Sequence, residues 1–171
     1  MKLLIASDIH GSAYWCDKLL EVARQEQPDK MILLGDVLYH GPRNDLPRDY
    51  APKQVIAMLT PWAHKILCVR GNCEAEVDQM VLPFPCMATY SQLLVDGKTF
   101  FLTHGHHYNP DQLPRLMPED VFLYGHTHVK LDEVRENVRC LNPGSVSIPK
   151  DGSNSCLIYE KGVFSFRILE D

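Results

Sequence analysis

Asp8, His10, Asp36, Asn72, His104, His106, His126 and His128 are the side chains here best suited to chemistry, and each follows closely on an apolar run. Leu3–Ala6 leads into Asp8 and His10, and Met31–Leu34 into Gly35 and Asp36. Ile66–Val69 leads into Arg70, Gly71 and Asn72. Phe100–Thr103 leads into His104-Gly105-His106, and Val121–Tyr124 into Gly125-His126-Thr127-His128. A carboxylate rarely ends a buried strand unless it is paired or bound to a cation. Carboxylate oxygens, imidazole nitrogens and an amide oxygen can all bind divalent ions. Asp8 and His10 are two apart, so on an extended segment both point the same way. Histidines two apart on a strand have backbones roughly 6–7 Å from each other. That spacing can serve two metals about 3.5–4 Å apart. The glycines beside His104, His106 and His126 remove bulk where a large ligand or ion could approach. Five such endings in one chain point to a single site at one edge of a sheet, with Asp36 at its hub.

The elements that would position these residues follow from pattern. Residues 2–7 read as a first strand. Ser12 is a cap for a helix from about Ala13 to Gln25, in which Trp15, Leu19, Leu20, Val22 and Ala23 follow three-to-four spacing. Met31–Leu34 is a second strand, completing a strand–helix–strand unit with a parallel pair. Tyr39–Pro52 reads as a loop, Pro52–Trp62 and Glu74–Met80 as helices, and Lys65–Val69 as a third strand. Beyond Pro85 the pattern becomes mostly antiparallel. Thr89–Val95 and Thr99–Thr103 form a hairpin through Asp96-Gly97-Lys98, and Val121–Tyr124 is a buried strand. Asn109–Pro118 is loop or short helix. Glu133–Asn142 and Ser155–Leu169 are strands with tight turns at Glu136-Asn137 and Glu160-Lys161-Gly162. No linker, repeat or low-complexity tract interrupts residues 1–171, which read as a single domain. Two facing sheets with helices outside would bury both sets of apolar runs.

The composition limits the function. A formal charge of −5 offers no basic footprint for nucleic acid or an anionic membrane. The six cysteines make no C-x-x-C pair, and several lie in apolar runs, so a reducing compartment is expected. The N-terminal apolar run is too short for a signal peptide or a membrane span. The expected location is cytoplasmic. A homo-oligomer is left open.

Asp8-x-His10, Gly35-Asp36, Gly71-Asn72, His104-Gly105-His106 and Gly125-His126-Thr127-His128 occur in the order that resembles the calcineurin-like metallophosphoesterase family. The resemblance spans residues 3 to about 149. Gly35–Asn44, Arg70–Cys73 and Asn142–Ser145 look like its small bacterial phosphodiesterases in particular. It implies a four-layer αββα sandwich of two mixed β-sheets flanked by helices. It further implies one metal held by Asp8, His10, Asp36 and His128, and a second held by Asp36, Asn72, His104 and His126, with Asp36 bridging. Mixed nitrogen and oxygen donors suit Mn²⁺, Zn²⁺ or Fe, and the resemblance puts Mn²⁺ first. The implied reaction is hydrolysis of a small phosphodiester by a metal-bridging hydroxide, with Asp36 and Asn72 in the catalytic set.

One position departs from the family pattern. Many members carry histidine after the Gly-Asn pair, where it can protonate the leaving group; here Cys73 stands there. His106 is the candidate to replace that acid, and Arg43, Arg70 and Cys73 are candidates to contact substrate. The alternatives are a phosphomonoesterase on a nucleotide or sugar phosphate, or a protein-binding scaffold like the retromer subunit of this fold, whose metal site is degraded. All seven ligand positions are intact here.

Overall fold

The continuous apolar runs supply side chains to two different cores, because successive strand residues point to opposite faces. In β1 (Lys2–Ala6), Leu4 and Ala6 face outward under the helices, while Leu3 and Ile5 face inward. In β2 (Lys30–Leu33), Met31 and Leu33 join the outer set and Ile32 the inner. The computed structural model describes residues 1–171.

Helix α1 (Ala13–Glu26) starts at Ser12, whose hydroxyl accepts from the Trp15 amide and donates to the Arg48 carbonyl. It buries Cys16, Leu19, Leu20 and Ala23, and ends at Gln27 in a left-handed conformation. Helix α2 (Pro52–Leu59) passes into a 3₁₀ turn over Thr60–Lys65, so the helix expected to Trp62 tightens in its last turn. Strand β3 (Ile66–Cys68) follows, then the short α3 (Glu76–Val81). The remaining strands are β4 (Tyr90–Val95), β5 (Lys98–Thr103), β6 (Val121–Leu123), β7 (Lys130–Arg135), β8 (Val138–Pro143), β9 (Ser155–Glu160) and β10 (Val163–Ile168).

Two five-stranded mixed sheets result, ordered β10-β9-β1-β2-β3 and β4-β5-β6-β8-β7. β1, β2 and β3 run parallel, with Leu4 opposite Met31 and Ile32 opposite Leu67. The inner faces meet in one core that joins Leu3, Ile5, Ile32 and Leu157 to Phe100, Leu102, Leu123 and Leu141. The expected sandwich is therefore present. The hairpins β4–β5, β7–β8 and β9–β10 are antiparallel as read, and their turns at Asp96-Gly97, Glu136-Asn137 and Lys161-Gly162 all have positive φ at both residues.

Three features differ from the sequence reading. β5, β6 and β8 run parallel in the middle of the second sheet, and the C-terminal hairpin returns to pair with β1 in the first. Parallel β5 and β6 bring their C-terminal ends to the same edge, which puts His104 and His126 side by side. Also, α1 and α2 cover the first sheet, whereas the irregular segment between β5 and β6 covers the second. Tyr108, Leu113 and Leu116 of that segment pack on Phe101, Phe122 and Tyr124.

Phe122 is fully buried in this satellite core, its ring stacked on Phe101 at 5.8 Å. Phe122→Ala is expected to lower stability by about 3–5 kcal/mol, read as a lower urea midpoint at unchanged slope.

Candidate metal centre

The loops leaving five strands are bonded to one another before any side chain meets an ion. His10 and Gly11 amides donate to the Asp36 and Val37 carbonyls, both at 2.8 Å. The Ser145 and Ser147 hydroxyls each donate to the Asp8 carbonyl at 3.0 Å. Buried Glu74 accepts from the Asp36 amide at 2.9 Å, the Val37 amide at 2.7 Å and the Gly71 amide, fastening the β2 loop to the β3 loop. Asn142 donates to the Gly125 carbonyl and accepts from the Gly144 amide, holding the β6 loop against β8.

Glycine serves closeness between loops. A Cβ on Gly71 would lie 2.1 Å from Asp36 Oδ1, and one on Gly125 1.9 Å from Ser7 Oγ. The sequence reading gave the glycine beside His126 to an approaching ligand; instead it admits the β1 loop. Asp8 and His10 also depart from the extended segment expected of them. Their φ values are 60° and 48°, so a left-handed bend brings the two side chains together.

All seven expected ligands converge on one cluster. His10, His104 and His128 each turn Nδ1 to a backbone carbonyl: Tyr39 at 2.7 Å, Leu34 at 2.7 Å and Ile148 at 2.6 Å. A carbonyl only accepts, so Nδ1 carries the proton and Nε2 presents a lone pair when the ring is neutral. At the first position His10 Nε2 lies 3.3 Å from His128 Nε2, and these lie 3.5 Å and 3.2 Å from Asp8 Oδ1. At the second, His104 Nε2 lies 3.1 Å from Asn72 Oδ1, 3.2 Å from His126 Nδ1 and 3.3 Å from Asp36 Oδ2. Asp36 Oδ2 is also 3.7 Å from His10 Nε2, so one carboxylate oxygen faces both positions. The other, Oδ1, accepts the Cys73 amide at 2.9 Å.

The donor set fits divalent ions. Asp8 Oδ1 is buried without a hydrogen-bond partner, and lone pairs meet where no protein donor stands between them. Asp8, His10 and His128 form one compact triad, and Asp8, Asp36 and His104 another.

Burial and charge shift several of these groups. Burial alone would raise Asp8, but the His10 and His128 imidazoles beside it and the charge of His104 hold it well below the usual carboxylate range. Burial also opposes ionised Asp36, and His104 outweighs it, so Asp36 is lowered. For His104 burial acts downward, yet Asp36 and Asp8 push it up to about 9. His10 is raised because Asp8 outweighs its burial. Burial and the neighbouring His104 lower His106 to about 4. Burial and the Asp36 carboxylate push the Cys73 thiol up.

Arg43 and Cys73 line a cavity of about 470 Å³ with Asp36, Asn72, His126 and His128. Arg70 and His106 line an adjoining cavity of about 240 Å³ that also reaches Asn72, and the Arg70 guanidinium donates to the Glu74 carbonyl at 3.2 Å. A larger cavity of about 660 Å³ opens between hairpin tips, beside Phe100, Tyr159 and Phe164, and none of the ligands lines it. Sequence reasoning missed three contributors. Glu74 was read as the start of a helix, although it follows Asn72-Cys73 directly. The Ser147 hydroxyl and Lys150, which lines the 470 Å³ cavity, carried no local signal.

These loops, the paired sheets and the ligand cluster define a metallophosphoesterase site. A model of the calcineurin-like phosphoesterase superfamily domain matches residues 1–161, and the chain belongs to that superfamily. It is 51% identical over 153 residues to phosphodiesterase YfcE of Escherichia coli (strain K12), covering 90% of this chain and 83% of that one. The solved structure of that E. coli phosphoesterase superposes with a TM-score of 0.93 over 99% of this chain and 100% of its own. Identity over that longer alignment is 43%. Vps29 of Entamoeba histolytica, solved with Zn²⁺, shares the fold alone: TM-score 0.61, 15% identity, 98% of each chain covered. Family and ligand cluster together support a metal-dependent phosphoesterase.

Since His104 titrates near 9 without metal, it is protonated at pH 7, and an ion must displace that proton. Metal binding should therefore release protons at pH 7, and apparent affinity should rise up to about pH 9, as titration calorimetry in buffers of different ionisation enthalpy would read. The same raised value stabilises the metal-free fold fully below about pH 6.5, and that contribution is lost as pH rises through 9.

Proposed function

We propose that the chain is a two-metal phosphodiesterase acting on small diesters. The observation that carries this reading is the pair of cavities, about 470 Å³ and 240 Å³, that meet at Asn72. A diester carries two substituents on one phosphorus, and two adjoining spaces beside the cluster can take one each. The smaller space limits one arm to a small group. The E. coli relative at 51% identity is a phosphodiesterase, which supports the same chemistry.

Asp8, His10, Asp36 and His128 would hold one ion; Asp36, Asn72, His104 and His126 would hold the other. The nitrogen and oxygen donors favour Mn²⁺, with Zn²⁺ or Fe as alternatives. Bound ions supply an activated water at neutral pH and neutralise phosphate charge. The chain's own residues would do the positioning. Arg43 and Lys150 line the larger cavity and can take non-bridging oxygens, while Arg70 lines the smaller one. Neutral His106, lowered to about 4, suits accepting a hydrogen bond better than giving up a proton. The six unpaired cysteines fit a reducing compartment such as the cytoplasm.

With Mn²⁺, bis(4-nitrophenyl) phosphate is expected to be hydrolysed with kcat/KM about tenfold or more above 4-nitrophenyl phosphate. Asp36→Asn should reduce activity on the order of a hundredfold and lower the bound Mn²⁺ below two per chain. A preference for the monoester would transfer the assignment to a phosphomonoesterase. Two bound ions with no turnover of any ester would favour the scaffold.

The raised Cys73 thiol is a poor proton donor, so leaving groups should have to depart unaided. Cys73→His should raise kcat on alkyl diesters by about tenfold to a hundredfold and change little on nitrophenyl esters. An equal effect on both would show that proton donation is not what the position lacks.

A further inference from the structure

Cys73 is the only cysteine that is not buried; the other five lie in the cores. Its sulfur completes a third donor cluster, in which ligand atoms of His10, Asp36 and Cys73 lie within 4.8 Å of one another. His10 and Asp36 belong to the first metal position, where Asp8 Oδ1 is buried without a partner. The second position has only nitrogen and oxygen donors around it. The two positions therefore differ in chemistry.

The sulfur is held in place. Its own amide donates to Asp36 Oδ1 at 2.9 Å, which fixes the main chain beside the shared carboxylate. Asn72 Nδ2 donates to the sulfur at 3.3 Å while Asn72 Oδ1 turns to His104 Nε2. That bond stabilises negative charge on sulfur and sets the amide so that its oxygen faces the second position. Gly41 leaves room beside the sulfur, since an added Cβ there would come within 3.1 Å of it. A free surface thiol would have none of these restraints.

We propose that Cys73 Sγ is an additional donor at the first metal position and biases that position toward thiophilic divalent ions such as Zn²⁺ and Cd²⁺. The inference rests on the two-metal reading above. Sulfur binds as thiolate, so the thiol gives its proton to solvent as the metal–sulfur bond forms. Hard Mn²⁺ gains little from such a donor, whereas thiophilic ions gain much.

The test uses the whole chain loaded with Co²⁺ and, separately, titrated with Mn²⁺ and Cd²⁺ by calorimetry. Co²⁺ protein is expected to show a near-ultraviolet thiolate-to-cobalt charge-transfer band that Cys73→Ser and Cys73→Ala both remove. The ratio of Cd²⁺ to Mn²⁺ affinity should fall about tenfold or more in both variants, mainly through Cd²⁺. A Co²⁺ protein without the band, a band that survives in both variants, or an unchanged ratio would overturn the proposal. If wild type and variants all fail to bind Mn²⁺, the two-metal reading itself falls. Normal Mn²⁺ binding without the band removes only the role given to sulfur.

Discussion

Lone pairs facing lone pairs are the constraint on which this structure turns. Three imidazoles commit Nδ1 to the Tyr39, Leu34 and Ile148 carbonyls, which leaves their Nε2 atoms converging on Asp8 and Asp36. Two nitrogens 3.3 Å apart, each offering electrons, repel unless a proton or a cation lies between them. Buried, they cannot turn to water, and in a low dielectric the conflict grows. The raised His104 and lowered Asp8 express the same fact: without metal, imidazole protons take the cation's part and Asp8 stays ionised beside them.

The fold answers this constraint through direction. Parallel strands send their C-terminal ends to one edge, so β1, β2 and β3 deliver Asp8, Asp36 and Asn72 together, and β5 and β6 deliver His104 and His126. The inner core packs the two sheets face to face and sets the separation between those deliveries. Glu74 then acts as a clasp. One carboxylate gathers three backbone amides from two loops, so the loop carrying Asp36 and the loop carrying Asn72 cannot drift independently. Its burial beside Asp36 raises its pKa even against those three donors. The clasp is a carboxyl group held where charge is unwelcome.

Much of this was legible in the residues because local and global demands agreed. Unbroken apolar runs gave the strands, Ser12 gave a helix start, and ligand types at strand ends gave the cluster. What stayed hidden was set by partners distant in sequence. Nothing near Ser155–Glu160 says that β9 pairs with β1, since that pairing joins opposite ends of the chain. The parallel centre of the second sheet was hidden likewise, because the segment that crosses over it has no helical period. It packs instead through Tyr108, Leu113 and Leu116. The role of Gly125 depended on Ser7, more than a hundred positions away. Periodicity reports which face is greasy, and it does not report what will cover it.

The ligand backbones show how firmly the site is made in advance. Asp8, His10, Asp36, His126 and His128 have φ values of 60°, 48°, 55°, 67° and 60°, a region costing roughly 1–2 kcal/mol for a non-glycine residue. Such conformations persist only where their surroundings over-determine them. Here the surroundings are specific: two serine hydroxyls on the Asp8 carbonyl, the His10 amide on the Asp36 carbonyl, and the His126 amide on Asp8 Oδ2 at 3.1 Å. A loop ordered only by its metal could relax to ordinary backbone when the ion leaves. These loops are tied by bonds that need no ion, so the strain is carried by the folded protein, and an arriving cation finds donors already aimed. The energy of forming the site is met by the fold itself, so the loops need none from an arriving ion to be ordered.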